Sequence, residues 1–255
     1  MNIRQVLGLP EVLEAKRVVC VQPHPDDNEV GAGGTIKTLT SKGCEVAYIT
    51  VTDGRAGAGA GGTAVVADEL VTTRRAERMH AGAILGVGVQ EELGFPDGGD
   101  YTIEDVTARL VALFRRLKPE IVMTVDPWMP YEAHPDHIKT GLAVARALQF
   151  CNNAILFPPG DQPPCEIPQV AFYGTSYPNT WVEVTPYWET KMSSLLAHKS
   201  QFDNEEWPLL SMYFGYAAQE LWRQYRKDPE ATGYAEAFKV LATRQLHFFP
   251  TALYD

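Results

Sequence analysis

Short apolar runs alternate with helical patterns over the first 150 residues of the chain. The runs at 17–22, 45–52 and 121–125 are continuous and rich in β-branched residues, which predicts buried strands. A shorter run at 90–95 is typical of a further strand. Between these runs, apolar residues recur every three or four positions, which predicts helices. The resulting β-α-β-α-β-α-β-α alternation predicts parallel strands with helices on both faces of the sheet.

The ends of the helical patterns carry residues that suit helix termini. Thr102 and Asp105, three residues apart, resemble a capping box. Gly43 is suited to the end of the helix before it, because glycine adopts the left-handed conformation found there. The predicted helices of this half cover residues 35–42, 68–85, 102–117 and 136–150.

The last hundred residues have a different pattern, and we expect them to extend the same sheet. Residues 152–168 contain five prolines and predict an irregular connection. Strands are predicted at 170–175 and 180–185, helices at 186–201 and 208–226, and an extended segment at 235–240. No linker separates the two halves. We therefore expect one domain over 1–255, with a core at 1–150 and an extension with capping helices at 151–255.

These patterns together predict an α/β fold, a Rossmann-like three-layer sandwich around a mostly parallel sheet of order about 3-2-1-4-5. In such sheets, sites lie beyond the carboxyl ends of the strands, where the strand order reverses. Two polar clusters follow strands one and four, at 23–34 and 126–137. In the assumed order they face each other over one crevice, with Asp53 and the glycine loop after strand two forming a wall.

Composition restricts the partners of such a site. The formal net charge is −10 and the isoelectric point is near 5.1, which argues against nucleic acid and against an acidic membrane surface. No run of about 18 apolar residues predicts a membrane span, and charged residues occupy the place of a signal-peptide core. The four cysteines are scattered, which predicts reduced thiols in a cytoplasmic protein that packs them in its interior. They are Cys20, Cys44, Cys151 and Cys165.

The two clusters supply three histidines and several carboxylates. A catalytic zinc ion takes three nitrogen or oxygen ligands and a water molecule, whose pKa it lowers to about 7. A remaining carboxylate can accept the proton of that water, and a remaining histidine can stabilise an oxyanion. These residues suit hydrolysis by metal-bound water. Spacing alone leaves open which of Asp26 and Asp27 is a ligand.

Several motifs are spread along the chain. They are His24-Pro25-Asp26-Asp27, Val51-Thr52-Asp53-Gly54, Arg74-x-x-Glu77, Leu93-Gly94-Phe95-Pro96-Asp97-Gly98, Asp126 to His137, His198-Lys199-Ser200-Gln201-Phe202 and Tyr234-Ala235-Glu236-Ala237-Phe238. Together they resemble the motifs of the PIG-L/LmbE family of zinc-dependent de-N-acetylases, in particular its diacetylchitobiose deacetylase branch. The resemblance implies one Zn²⁺ per chain, bound by His24, Asp27 and His137, with Asp26 as general base. It also implies that His134 stabilises the oxyanion or protonates the leaving amine, that Asp136 orients a histidine, and that Arg74 and Asp97 bind the sugar.

The resemblance implies a hydrolase that removes the acetyl group from N-acetylglucosamine or diacetylchitobiose and releases acetate. The expected partner is a small amino sugar, and the branch suggests a homo-oligomer. A thiol-cofactor glycoside or an antibiotic intermediate is an alternative substrate. A non-catalytic nucleotide-binding Rossmann module is the alternative from another class, although glycines 31–34 are more typical of close helix packing than of phosphate binding.

Other residues keep two interpretations. Many relatives have Glu after the glycine turn that follows strand two, whereas this chain has Arg55, which could contact an anionic group. Residues 57–62 could form a lid or an unstructured loop. Arg74 could instead pair with a carboxylate on its own helix, and Asp97 could be a turn residue. Trp128 and Tyr131 could stack on a sugar, although core packing is usual for aromatic residues. His198 is expected to have a structural hydrogen-bonding role.

Overall fold

Strands and helices alternate along the chain in the computed structural model, which describes residues 3–57, 66–247 and 249–254. The strands are β1 (Arg17–Gln22), β2 (Glu45–Thr52), β3 (Val89–Phe95), β4 (Ile121–Val125), β5 (Gln169–Tyr173), β6 (Thr180–Glu183) and β7 (Ala235–Ala242). The helices are α1 (Ile3–Val6), α2 (Asp27–Ser41), α3 (Ala67–Leu85), α4 (Ile103–Leu117), α5 (Pro135–Phe150), α6 (Trp188–Leu196), α7 (Lys199–Phe202) and α8 (Trp207–Arg226). Short 3₁₀ turns cover Val12–Glu14, Thr185–Tyr187, Thr243–Leu246 and Pro250–Leu253.

The strands of the described residues form one seven-stranded sheet in the order β3-β2-β1-β4-β5-β7-β6. The pairs β1–β2, β1–β4, β2–β3 and β4–β5 are parallel, whereas β7 runs antiparallel to both β5 and β6. The predicted α/β fold and the order 3-2-1-4-5 are therefore confirmed. The C-terminal residues lengthen the same sheet by two antiparallel strands.

Each face of the sheet packs on helices, and β1 illustrates how. Val18 and Cys20 belong to a core shared with Ile36 of α2, while Val19 and Val21 belong to a core shared with Leu110 of α4. Successive side chains of a strand point to opposite faces, so a strand buried on both faces is apolar throughout. This is why the predicted strands are continuous apolar runs and why the sheet is the middle of three layers.

Helix α2 begins eight residues earlier than predicted, at Asp27 rather than Thr35. Its glycines lie inside the helix because the neighbouring elements approach too closely for a side chain. A Cβ on Gly31 would lie 2.1 Å from the ring of Tyr173, and one on Gly34 would lie 2.5 Å from Val184. Glycine disfavours helices locally, but tertiary packing outweighs that preference here. The close-packing interpretation of these glycines is therefore correct, and they do not form an open phosphate loop.

Two further boundaries differ from the prediction. The predicted helix at 186–201 is divided at Ala197 and His198 into α6 and α7. Helix α3 begins at Ala67 with Val66 as its N-cap, so Asp68 lies in its first turn instead of capping it. The capping box of Thr102 and Asp105 is present at the start of α4. Of the predicted lid or loop at 57–62, residues 58–62 lie outside the described residues.

The cysteines of the chain are free thiols that mainly pack in the interior. Cys20, Cys44 and Cys151 are buried and Cys165 is half-buried. The Sγ atoms of Cys151 and Cys165 are 3.4 Å apart, where the proline-rich connection returns to the end of α5. No helix within the described ranges combines the length and the apolar character that a membrane crossing needs.

A buried ion pair from the C-terminal half joins the backbone of α2. Lys191 of α6 and Glu236 of β7 are 2.6 Å apart, and both are buried. Lys191 also donates to the carbonyl of Val30, and Glu236 accepts the N–H groups of Gly34 and Thr35. A regular α-helix pairs Val30 O with the N–H of Gly34. The ion pair thus provides partners in the middle of the helix that carries Asp27.

We predict that Glu236→Ala lowers the free energy of unfolding by about 3–5 kcal/mol, because it leaves the Lys191 ammonium buried without a counter-charge. It also removes the acceptor of two α2 amides. Urea denaturation followed by circular dichroism measures the loss. The matched control is Glu220→Ala in the partly exposed Glu220–Arg223 pair of α8, for which we expect a loss below about 1 kcal/mol. Equal losses in the two variants would contradict the assignment.

Candidate metal centre

The two polar clusters meet because β1 and β4 are paired in the middle of the sheet. Their register places Val18 opposite Ile121 and Cys20 opposite Met123, so both strands end at the same edge. His24 follows β1, and His134 and His137 lie at the start of α5. The ring of His24 lies 4.6 Å from that of His134 and 5.3 Å from that of His137, centroid to centroid.

Three side chains at this edge have the arrangement of metal ligands. His24 Nδ1 lies 3.3 Å from Asp27 Oδ2, and His137 Nε2 lies 3.5 Å from Asp27 Oδ1. A tetrahedral ion with bonds of 2.0–2.2 Å holds its donor atoms about 3.4 Å apart. A cavity of about 170 Å³ adjoins the group and is lined in part by Asp27 and His137. These three side chains would therefore hold a divalent ion, and the adjoining cavity would give water and substrate access to it.

A second group of possible ligands shares His24. The Nε2 atom of His24 lies 3.2 Å from Asp97 and 3.3 Å from Asp136, and His134 is close to both carboxylates. The oxygens of Asp136 already accept hydrogen bonds from Tyr101 Oη at 2.7 Å and from the N–H of Gly98 at 2.8 Å. Asp136 is fully buried. This second group is thus a hydrogen-bonded support for the His24 ring, whose Nδ1 remains directed toward Asp27.

The carboxylates around His24 set its charge. Burial opposes protonation of His24, but its contacts with Asp136, Asp27 and Asp97 outweigh that effect and raise its pKa to about 12. Burial likewise opposes ionisation of Asp136, yet its bonds to His24, Gly98 and Tyr101 hold its pKa well below the usual range. The carboxylates therefore concentrate negative charge around His24. This charge attracts a cation, either a proton or a metal ion.

Asp26 is held in an unusual conformation beside the ligand group. Its backbone φ of 134° lies in a region that residues other than glycine rarely adopt. The buried guanidinium of Arg74 donates to Asp26 Oδ2 at 3.0 Å, to Pro25 O at 2.8 Å and to Gly54 O at 3.0 Å. Arg74 thus pairs across elements rather than with a carboxylate on its own helix. Strain held in this way is typical of functional sites.

The surroundings of Asp26 raise its pKa to about 6. Burial is the largest cause, Arg74 opposes it, and the neighbouring Asp27 adds to it. A carboxylate with a pKa in this range is suited to accept a proton near neutral pH. His198 is buried and its Nε2 lies 3.5 Å from Glu29 Oε2, but neither ring nitrogen has a hydrogen-bond partner among the described residues. Its structural hydrogen-bonding role therefore stays a prediction.

His134 caps α5 and presents one ring nitrogen to the site. Its Nδ1 accepts the N–H of Asp136 at 3.3 Å, which favours the tautomer with the proton on Nε2. Burial is the largest cause that lowers the pKa of His134, and the neighbouring rings of His24 and His137 lower it further. A neutral ring with Nε2–H can donate a hydrogen bond to a developing oxyanion.

Glu132 is a residue of this centre to which the sequence interpretation assigned no role. Its Oε2 lies 3.0 Å from His137 Nδ1, and its Oε1 accepts the N–H of His134 at 2.8 Å. The contact leaves His137 Nε2 directed toward Asp27. A carboxylate on the outer nitrogen of a ligating histidine orients the ring and strengthens its binding. The signal in the sequence was an acidic residue five positions before a candidate ligand. This spacing alone does not indicate a contact, because the contact depends on the conformation of the loop.

Other candidate residues lie around the rim of the centre. The Arg55 guanidinium pairs with Asp53 at 2.6 Å, and the N–H of Asp97 donates to Asp53 as well. Asp97 Oδ2 accepts the N–H of Ala56, so Asp97 is both a loop contact and a neighbour of His24. Trp128 is 54% exposed and Tyr131 is fully exposed. The expectation of core packing for these two aromatic residues is therefore wrong.

The comparisons with known proteins identify the family of the chain. The family model described as GlcNAc-PI de-N-acetylase matches residues 19–148, which include all eight predicted site residues. The chain belongs to the PIG-L de-N-acetylase family. The predicted family and its hydrolase class are thus confirmed, and they disfavour a non-catalytic nucleotide-binding module.

Members of the family resemble the chain over different lengths. Diacetylchitobiose deacetylase of Thermococcus kodakarensis is 35% identical over 244 residues, which cover 94% of this chain and 88% of that protein. The 1D-myo-inositol 2-acetamido-2-deoxy-alpha-D-glucopyranoside deacetylase of Rhodococcus erythropolis is 31% identical over 172 residues, 58% of each chain. The solved structure of N,N'-diacetylchitobiose deacetylase from Pyrococcus horikoshii superposes with a TM-score of 0.83 at 30% identity, covering 98% of this chain and 97% of that one.

We predict that Glu132→Gln weakens divalent-ion binding by about 10- to 100-fold, because His137 loses its carboxylate partner. Competition with a chromogenic chelator measures the affinity without any assay of turnover. The control is Glu230→Gln, an exposed residue after α8, for which we expect the affinity of the unmodified protein. An unchanged affinity in Glu132→Gln would show that the contact with His137 does not support the metal.

Proposed function

We propose that the protein is a zinc-dependent deacetylase that hydrolyses the acetamido group of an N-acetylglucosamine-type sugar, with diacetylchitobiose as the first candidate. The observation that carries the proposal is the triangle of His24, Asp27 and His137, with the Asp26 residue preceding Asp27 and the His134 ring 4.6 Å from that of His24. The names of the two chitobiose deacetylases, which are similar over almost the whole chain, support the choice of substrate.

The proposed ligands of one Zn²⁺ per chain are His24 through Nδ1, Asp27 through its carboxylate and His137 through Nε2. Two imidazoles and a carboxylate form a donor set that zinc accepts, although other divalent ions can also bind it. When bound, zinc lowers the pKa of its water and polarises the acetyl carbonyl. Asp136 keeps His24 oriented from its outer nitrogen, as Glu132 does for His137.

The side chains around the ion would then move the protons. Asp26 accepts a proton from the attacking water, whose oxygen forms a bond to the acetyl carbon. His134 donates a hydrogen bond from Nε2 to the oxyanion, and the proton held by Asp26 passes to the sugar nitrogen, after which the C–N bond breaks. Acetate and the free amine are the products. Arg74 keeps Asp26 in place through the bond at 3.0 Å.

Arg74 and Asp97 remain the proposed contacts to the sugar. The Nε atom of Arg74 is buried and has no hydrogen-bond partner among the described residues. Asp97 lies beside His24 with a pKa held below its usual range, because the bonds from His24 outweigh its burial. Arg74 would serve as a donor and Asp97 as an acceptor for hydroxyl groups of the sugar.

A second substrate class shares this chemistry. The relative from Rhodococcus erythropolis is named as a deacetylase of an inositol glycoside of an acetamido sugar. It matches over 58% of the chain. A glycoside of that kind, as in thiol-cofactor precursors, is therefore the second candidate. An antibiotic intermediate stays the third substrate proposed from the sequence.

The remaining expectations from the sequence stay proposals. We propose one de-N-acetylase domain over residues 1–255, a cytoplasmic location and a homo-oligomeric state. An exposed apolar stripe on α8 supports an interface between copies, because large exposed apolar patches mark contact surfaces. Its residues are Leu209, Met212, Tyr213 and Tyr216, each more than 60% exposed.

We predict that Asp26→Asn retains the metal but lowers kcat by at least about 100-fold, the range expected for loss of a general base. Asparagine has the same shape, can accept the bond from Arg74 and tolerates positive φ. Elemental analysis and steady-state kinetics are measured on the same preparation. Full activity in this variant would remove Asp26 as the base.

The test of the function is acetate release from a panel of N-acetylglucosamine, diacetylchitobiose and an inositol glycoside of N-acetylglucosamine. We expect turnover of at least one of these that stops after chelation and returns with Zn²⁺, and we expect His137→Ala to bind no zinc tightly. Tight dinucleotide binding without zinc and without acetate release would instead support the nucleotide-binding alternative.

A further inference from the structure

The proline-rich connection between α5 and β5 is weakly held in its middle. Residues 158–164 include four prolines, which have no N–H group to donate. Within the part of the chain that the structure describes, no residue of 158–164 makes a hydrogen bond. A cavity of about 340 Å³ lies between residues 156–162 and α4. The position of the connection therefore depends on contacts at its two ends.

Arg115 of α4 fixes the first end. Its buried guanidinium donates to the carbonyl oxygens of Cys151 at 2.9 Å, Asn153 at 3.2 Å and Phe157 at 2.9 Å. One side chain thus holds residues 151–157 against α4, and it leaves the segment beyond Phe157 to be held from the other end.

A pair of thiols lies where that other end returns to α5. Cys151, the first residue after α5, is fully buried, and Cys165 is half-buried. Their Sγ atoms are 3.4 Å apart, and the N–H of Cys165 donates to Cys151 O, also at 3.4 Å. In a disulfide the sulfur atoms are about 2.05 Å apart. Because the side chains and the backbones both adjoin already, a small movement of the two side chains suffices to form the bond.

We propose that Cys151 and Cys165 form an oxidation-sensitive site, at which a low-molecular-weight disulfide converts the two thiols into a disulfide that clamps the connection. In a reducing compartment the pair stays as thiols. The inference is independent of the proposed deacetylase function, because the metal centre lies at the opposite end of α5. That helix has 16 residues, so the two ends are about 24 Å apart.

The oxidation consists of two thiol–disulfide exchanges. Cys165 attacks one sulfur of the oxidant, whose S–S bond breaks, and one small thiol leaves with the Cys165 proton. Cys151 then attacks Cys165 Sγ, and the second small thiol leaves with the Cys151 proton. The two cysteines together lose two electrons, which reduce the oxidant to two thiols. Burial raises the pKa of the Cys151 thiol to about 12, so the more accessible Cys165 reacts first.

The test exposes the folded, full-length protein to an excess of oxidised glutathione. Cleavage before Asp161 separates the two cysteines, so mass spectrometry without reductant identifies the bond as a link between two peptides. We expect this link and a thermal midpoint higher by about 5–10 °C, the shift typical of closing a loop of about 15 residues in a chain of this size. Dithiothreitol should reverse both changes.

The variants separate the pair from the other cysteines. Cys165→Ser, a conservative change of a half-buried residue, should remove the link and the rise in thermal midpoint. The matched control is Cys44→Ser, because Cys44 belongs to the core on the other face of the sheet. This variant should form the link as the unmodified protein does. Absence of the link after oxidation, or a link between another pair of cysteines, would overturn the site. A link that leaves the thermal midpoint unchanged would overturn the clamp.

Discussion

The parallel pairing of β1 with β4 is the constraint on which the centre depends. The two strands are far apart in the chain, yet their register brings both carboxyl ends to one edge of the sheet. Each strand can supply only a few side chains from the turn that follows it. A site with three ligands, a base and an oxyanion donor therefore needs two turns, and the reversal of strand order is where two turns face each other without an intervening strand.

Helix α2 connects the site at the end of β1 with the C-terminal half of the molecule. It holds Asp27 at its first residue, and its glycines let Tyr173 and Val184 approach the backbone. The buried pair of Lys191 and Glu236 then provides partners for the middle of the helix. The C-terminal half of the chain thus stabilises the position of a ligand that the N-terminal half contributes. This coupling gives the last hundred residues a direct influence on the centre, although none of the eight predicted site residues lies there.

Carboxylates orient both histidines of the proposed metal centre from behind. Asp136 and Asp97 contact His24, and Glu132 contacts His137. Each acidic group leaves the inner ring nitrogen directed toward Asp27, and together they attract a cation. Arg74 balances this charge next to Asp26, whose pKa rises to about 6 because burial dominates. The same cluster of charges therefore favours metal binding and leaves one carboxylate suited to proton transfer.

The sequence by itself determined the alternation of strands and helices, because buried strands and amphipathic helices have distinct apolar periods, and it located the two clusters of polar residues. The strand order was assumed from the fold class, and the tertiary structure confirmed it. The sequence did not determine the start of α2, where local glycine preferences indicated a turn and only the packing of Tyr173 and Val184 requires a helix. Nor could it assign a role to Glu132, whose carboxylate contacts His137. Those features depend on contacts between residues distant in the chain or on loop conformation, and neither has a periodic signal. The sequence therefore indicated which residues can bind a metal ion or transfer a proton, whereas the tertiary structure determined how their side chains are oriented.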